Sequence, residues 1–171
     1  MSSSLKLLSN PIFEHHYEDL GRVDELECSY RRAREIERFH NLSLKDVFHL
    51  TPKFWDAHQD MIILRDTTAQ ILVTIQLNLV AGTLAPFVLK RPDLEPLMKS
   101  ILNFDISTPF MLNEVGHGCD ARNLETTSTW QSDGSFILHT PSSAAMKFMP
   151  PSMPIGDTRR IAIVFALGGE R

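Results

Sequence analysis

From Gly21 to His40 the apolar residues Val23, Leu26, Tyr30, Ala33 and Ile36 step by three or four, while Arg31, Arg32, Arg34, Glu35, Glu37 and Arg38 fill the other positions. The period predicts one amphipathic helix whose interleaved arginines and glutamates form a solvated, salt-bridged face rather than a phosphate-binding patch. Ser43 is placed to cap a short helix through LKDVF, and Thr51-Pro52 opens another, with proline suited to the first helical position. Asp66 is an apt N-cap for a long helix running to about Phe87, where Pro86 ends or kinks it. That helix is apolar nearly all round, so it belongs in the middle of a helical layer, and Gly82 allows close approach by a neighbour or a ligand. After RPDLEP, Leu94, Leu97, Met98, Ile101 and Leu102 line a further helix.

Beyond Phe104 the period changes. Pro109 to Leu112, Thr126 to Gln131, Ser135 to Thr140 and Arg160 to Ala166 are short runs rich in aromatic and β-branched residues, set apart by Gly, Pro and Ser. Such runs read as antiparallel strands, and SDGS at 132–135 reads as a hairpin whose primed turn puts positive φ at Asp133 and Gly134. Pro141, Pro150, Pro151 and Pro154 impose an irregular segment between the last two runs. The expected fold class is α+β: an all-helical domain over residues 1–104, then an incomplete β-domain over residues 105–171.

Composition changes this picture little. The 171 residues are 43% hydrophobic and 22% charged with a net charge of -4, which gives no global attraction to nucleic acid or to an anionic membrane. The two cysteines, Cys28 and Cys119, are too far apart for a CxxC motif or a disulfide framework. The stretch from Thr67 to Leu89 is uncharged and long enough to span a bilayer, but Gln70, Gln76, Asn78 and its threonines favour a buried helix of a soluble domain over a membrane span. The N-terminus is too weakly apolar for a secretory signal, and the C-terminus is no lipidation or peroxisomal address.

The chemistry gathers in LNEVGHGCDARNLETT, residues 112–127. A Cys119–His117 nucleophile oriented by Glu114 needs hydrogen-bond contact that the spacing permits but does not impose. Metal binding by His117, Cys119 and Asp120, or by His15 and His16, lacks further ligands at diagnostic spacing. The glycines suit the stretch better: a G-x-G loop after a strand adopts unusual φ angles and presents backbone N–H groups to an anionic or carbonyl-rich ligand. A plain strand-to-turn link uses glycines as well.

In combination the motifs are more specific. Asn113-Glu114-Val115-Gly116-His117-Gly118, then Leu124-Glu125-Thr126-Thr127-Ser128-Thr129, then Leu138-His139-Thr140-Pro141 and Lys147, resemble the TE-x-GHG turn, LETTAT strand and HTP…KWWPG segment of the acyl-CoA oxidases, kin of the acyl-CoA dehydrogenases. Thr51-Pro52-Lys53-Phe54-Trp55 and Ile75 to Leu84 look like the same family's helical first domain. The resemblance implies a helical domain, a β-barrel-like middle domain and a large helical C-terminal region, with FAD and an acyl-CoA thioester bound beside the turn. It implies flavin contacts at Asn113, Glu114, Gly116, Gly118 and the segment ending at Pro151, and α,β-dehydrogenation of the thioester. Asn113 replaces the usual threonine, yet its amide can still donate to a carbonyl oxygen. Pro151 stands where a glycine is usual and has no N–H, which removes a contact. Cys119, where relatives often carry serine, is a weaker donor.

The family's catalytic glutamate lies in the C-terminal helical region, and neither Glu114 nor Glu125 lies in the right motif to replace it. The expectation is therefore a truncated acyl-CoA oxidase-like chain, inactive alone, with the missing region supplied in trans or by a longer product. The alternative is a non-catalytic remnant or interaction module that binds flavin or acyl-CoA weakly. An unclosed sheet also invites homo-oligomerisation. A peroxisomal or cytoplasmic location is what the resemblance implies, with no targeting signal in the chain itself.

Overall fold

Helix α1 (Arg22–His40) follows the predicted span, with acidic Asp24 and Glu25 in its first turn and basic Arg38 and His40 in its last, the arrangement its dipole favours. It ends at Asn41, whose φ of 46° places it in the left-handed region. The structure, a computed structural model, describes residues 4–14, 20–151 and 158–170. Pro154, His15, His16 and the terminal Arg171 lie outside the described residues. The chain divides into two compact units, Met1–Thr108 with Met153–Ile161 and Pro109–Ser152 with Ala162–Arg171.

The buried face of α1 includes Tyr30, Ala33 and Ile36, as its hydropathy period predicts, but it does not follow that period throughout. Val23 is 67% exposed, whereas Arg32 and Glu37, expected on the solvated face, are buried. Arg32 turns inward toward groups that receive it, among them Asp66 Oδ2 at 3.1 Å, the Ile12 carbonyl at 2.8 Å and the face of the Phe13 ring. Asp66 serves twice, since its Oδ1 accepts from the Ala69 N–H at 2.8 Å and caps helix α4 (Thr67–Thr74) as expected. Glu37 has no such reception. Neither carboxyl oxygen has a hydrogen-bond partner among the described residues, and burial holds its pKa well above the usual carboxylate range.

Helix α2 (Leu44–His49) opens with a capping box in which Ser43 and Asp46 satisfy each other's backbone N–H groups, and helix α3 (Pro52–His58) starts on proline as predicted. The long helix is continuous from Thr67 to Val88 but not uniform. Residues Ile75–Ala81 form a π-helical segment between α4 and helix α5 (Gly82–Val88), and Pro86 lies inside α5 without ending it. Gln76, in the widened turn, is buried. Its Nε2 donates to the carbonyls of Ile101 and Ile106, and its Oε1 accepts from the Thr108 N–H. The amide thus ties the helix to the end of helix α6 (Glu95–Leu102) and to strand β1 (Ile106–Ser107).

Two expectations about this helix fail. Ile71 and Leu79 are 53% and 42% exposed, so it is buried on one side only. At Gly82 a Cβ would meet nothing nearer than the Leu77 carbonyl at 3.7 Å, an ordinary contact, so no described neighbour within the chain requires glycine there. By length and composition Thr67–Val88 could cross a membrane.

The strands are shorter than predicted and mostly parallel. Strand β1 pairs with β5 (Arg159–Arg160), and β2 (Phe110–Met111) pairs with β6 (Ile163–Val164), both parallel. Strand β3 (Thr127–Trp130) pairs antiparallel with β4 (Phe136–His139) and parallel with β7 (Leu167–Glu170), giving the order β4-β3-β7. The antiparallel expectation therefore holds for the hairpin alone. Strands separated by a long connection can return in the same direction, which adjacent hairpin strands cannot. Strand β7 contains Gly168-Gly169, residues without β propensity, and was not expected.

The hairpin turn also differs from the primed form. Gly134 alone has positive φ, at 87°; its N–H donates to Gln131 O, and Gln131 N–H donates to Ser135 O. This is the three-residue loop in which a left-handed glycine follows a tight turn, and Asp133 steadies it by accepting from the Ser135 N–H and hydroxyl.

Replacing Asp66 with alanine should cost about 3–5 kcal/mol, because it takes a carboxylate away from the buried Arg32 guanidinium and also removes the α4 cap. Urea denaturation followed by far-ultraviolet circular dichroism measures the loss. Asp66→Asn, which keeps the cap but not the charge, should be intermediate.

Candidate functional site

The NEVGHG turn is built around one carboxylate. Glu114 has no exposed surface, and its two oxygens accept from the Glu125 N–H at 2.8 Å, the Thr126 N–H at 3.0 Å and Lys147 Nζ at 3.0 Å. Lys147 Nζ also donates to the Leu112 carbonyl, so it bridges the backbone before the turn and the acid within it. Burial alone would raise the Glu114 pKa. The Glu125 and Thr126 backbone donors, the Thr126 side chain and Lys147 outweigh it and lower the carboxyl to about 2.

Backbone bonds then close the turn. The His117 and Gly118 N–H groups both donate to the Glu114 carbonyl, and the Glu114 N–H donates to the Gly118 carbonyl. Gly118 sits at φ 56°, a left-handed position with open space around it, so conformation and not packing favours glycine there. Gly116 is required by packing: a Cβ would lie 2.7 Å from the Ala144 Cβ, and its N–H donates to the Ala144 carbonyl at 2.8 Å. Val115 likewise donates to Met146 O. The backbone N–H groups expected to face a ligand at Gly116 and Gly118 are thus spent within the chain, and the G-x-G serves to dock the 144–147 segment against the turn.

His117 Nε2 lies 2.7 Å from Glu125 Oε1, and the Ser142 hydroxyl donates to Glu125 Oε2 at 2.7 Å. Hydrogen bonds from Ser142 and then His117 lower the Glu125 pKa. His117 is therefore engaged with an acid, not with Cys119, and the nucleophile reading has no geometric support. Among the described residues no group of His, Cys, Asp and Glu is arranged to hold a metal ion.

Asn113 is placed differently from its neighbours. Its Nδ2 donates to Cys119 Sγ at 3.4 Å and Met149 Sδ at 3.5 Å, both weak acceptors. Its carbonyl accepts from the Phe148 N–H, and Met149 follows with φ at 76°, an unusual conformation for a non-glycine residue. Val115, Met146, Phe148 and Met149 expose apolar surface on the same segments. Pro151, partly buried, lies two residues beyond Met149 and offers no N–H. Sequence reasoning missed the roles of Ser142, Ala144 and Met149, for which no short motif gives a signal. It also missed a cleft of about 630 Å3 in the helical unit, lined by Leu42, Val88, Pro96, Met98 and Leu102.

Because the Glu114 carboxyl is lowered to about 2 in the fold, it contributes stability that is fully present above its ordinary value of 4.5 and is lost as pH falls from there through 2. Denaturant midpoints followed by tryptophan fluorescence should fall across that window. Glu114→Gln should show a lower midpoint at neutral pH and a flatter profile below pH 4.5.

No model of a known protein family matches the chain. Over 146 residues, 83% of its length, the chain is 25% identical to acyl-coenzyme A oxidase acox-3 of Caenorhabditis elegans, of which it covers 20%. A shorter match, 54 residues at 44% identity, links 31% of the chain to 8% of acyl-coenzyme A oxidase acox-1.3 of the same organism. Among solved structures, acyl-CoA oxidase-1 of C. elegans complexed with FAD and ATP aligns over 86% of the chain and 26% of its own, at 18% identity and a TM-score of 0.43. The chain thus spans about a fifth of the first curated relative, and over that stretch it is similar to the acyl-CoA oxidases, as its motifs indicate.

Proposed function

We propose that the chain provides the flavin- and thioester-facing turn of an acyl-CoA oxidase-like protein, and that its own residues do not complete α,β-dehydrogenation. The observation that carries this reading is convergence. Three of the separated segments that bear the family resemblance, 113–118, 124–129 and the stretch reaching Lys147, meet at the buried Glu114 carboxylate. Motifs shared with acyl-CoA oxidases form one physical constellation here, not three scattered likenesses.

The residues present fit FAD in part. Asn113 Nδ2, now donating to two sulfurs, gains by donating to a flavin carbonyl oxygen instead. The apolar surface of Phe148, Met149 and Met146 suits a planar ring or an acyl chain. Glu114, Gly116 and Gly118 shape the cradle from behind, and Pro151 limits contact at its far end. When bound, FAD supplies the acceptor for the hydride that leaves the β-carbon of an acyl-CoA thioester.

A base for the α-proton is a different matter. Glu114 is buried, ionised and fully hydrogen-bonded, and Glu125 is held between His117 and Ser142. Neither carboxylate is poised to leave its partners for a substrate proton. This favours binding without turnover for the chain by itself.

Titration with FAD should quench flavin fluorescence, and Asn113→Ala should weaken binding by roughly 3- to 10-fold, the worth of one hydrogen bond. Saturated acyl-CoA thioesters of several lengths should leave the flavin absorbance unbleached. Absence of FAD binding sinks the cradle reading, whereas bleaching with turnover shows that the chain has a base of its own.

A further inference from the structure

The helical unit holds a cation without a counter-ion. Arg160, on β5, is paired by register with the buried Ser107 of β1, and its guanidinium carbon lies 5.9 Å from the centre of the Tyr30 ring on α1. Its Nε and Nη2 are both covered by the fold, yet among the described residues neither has a hydrogen-bond partner. The Tyr30 hydroxyl shares the defect: Tyr30 is 6% exposed, and its Oη is buried without a partner. Buried donors are almost always paired, and an uncompensated buried charge is costlier than a neutral group left in the same state.

The acids on the neighbouring segments do not fill the gap. Asp105 accepts from Arg38 at 3.0 Å on the surface. Glu37, two turns along α1 from Tyr30, has no partner for either oxygen, and burial raises its pKa. A second cation lies close by instead. Arg34, one turn on from Tyr30, donates through Nε to the Phe104 carbonyl at 3.2 Å and through Nη2 to the hydroxyl of Thr158, two residues before Arg160. Both of those partners are neutral.

The free edge of Arg160 is chemically specific, because Nε and Nη2 carry two parallel N–H groups, the fork that takes two oxygens of one oxyanion. We propose that Arg160, Tyr30 and Arg34 form a binding site for a small tetrahedral oxyanion of phosphate size in the interior of the helical unit. The Arg160 fork takes two oxygens and the Tyr30 hydroxyl donates to a third, which a planar carboxylate does not have. Arg34 adds positive charge from the side. The donors are covered by the chain's own fold, so the site takes the free ion and not the phosphoryl group of a large molecule. Arg160 as a residue is only partly buried, which sets the site close beneath the surface. The inference does not depend on flavin binding, since all of these residues belong to the first unit and the NEVGHG turn to the second.

Isothermal titration of the whole chain with inorganic phosphate, at constant ionic strength, should show one saturable site with a Kd of about 0.1–1 mM. Adenosine monophosphate, which has the same phosphoryl oxygens on a large body, should not bind there. Arg160→Met should weaken phosphate binding by at least about tenfold, and Tyr30→Phe by about 3- to 10-fold. Stability should respond in the opposite sense. In phosphate-free buffer Arg160→Met removes an uncompensated charge and should raise the urea midpoint, whereas on adding phosphate it should lose most of the gain that the unaltered chain shows. Comparison with this variant also subtracts the general stabilisation that phosphate gives any fold. Absence of a saturable site, undiminished binding by Arg160→Met, equal affinity for adenosine monophosphate, or a lowered midpoint for Arg160→Met without phosphate would each overturn the proposal.

Discussion

A carboxylate without exposed surface must be met by donors on every side or not be charged at all, and Glu114 sets the layout of the second unit through that requirement. Its oxygens draw in the main chain of 125 and 126 and the ammonium of Lys147, and the same two segments are further tied by Thr126 to the Ala145 carbonyl and by Ser142 to Glu125. Gly118 closes the turn that carries the acid, and Gly116 lets the 144–147 segment approach closely enough for Lys147 to reach it. Each part of the turn is thus fixed by another part of the same unit.

The helical unit uses the same device with a different partner. Arg32 and Asp66 are both without exposed surface, and the pair gathers the 10–13 segment, α1 and the start of α4 at one point. A buried ion pair of this kind does not add net stability over a well-packed apolar contact, but it tolerates few alternative arrangements. Each unit is thus specified by a polar contact in its interior and filled out by ordinary apolar packing around it.

Much of this was legible in the sequence. The helix starts at Ser43, Pro52 and Asp66 follow from capping chemistry, which is local, and the structure bears them out. The family resemblance was legible because it rests on residue identities in order, and the comparisons agree with it. What was not legible depended on distant partners. Arg32 reads as solvated until Asp66, 34 residues away, is seen beside it. The parallel pairing of β7 with β3 depends on where a long connection returns, and the π-helical segment depends on what Gln76 can reach. The φ angle of Gly118 was legible from its residue type, whereas the close approach of Ala144 to Gly116, 28 residues away in the chain, was not.

The two units carry acids of opposite temper. Glu37 is buried without a described partner, so its folded form prefers to stay protonated, and alkali rather than acid works against it. Acidification that strips Glu114 of its charge leaves the core around Glu37 more at ease. Acid therefore withdraws stability from the interior of the second unit at Glu114, whereas at Glu37 it removes a cost instead of a contribution.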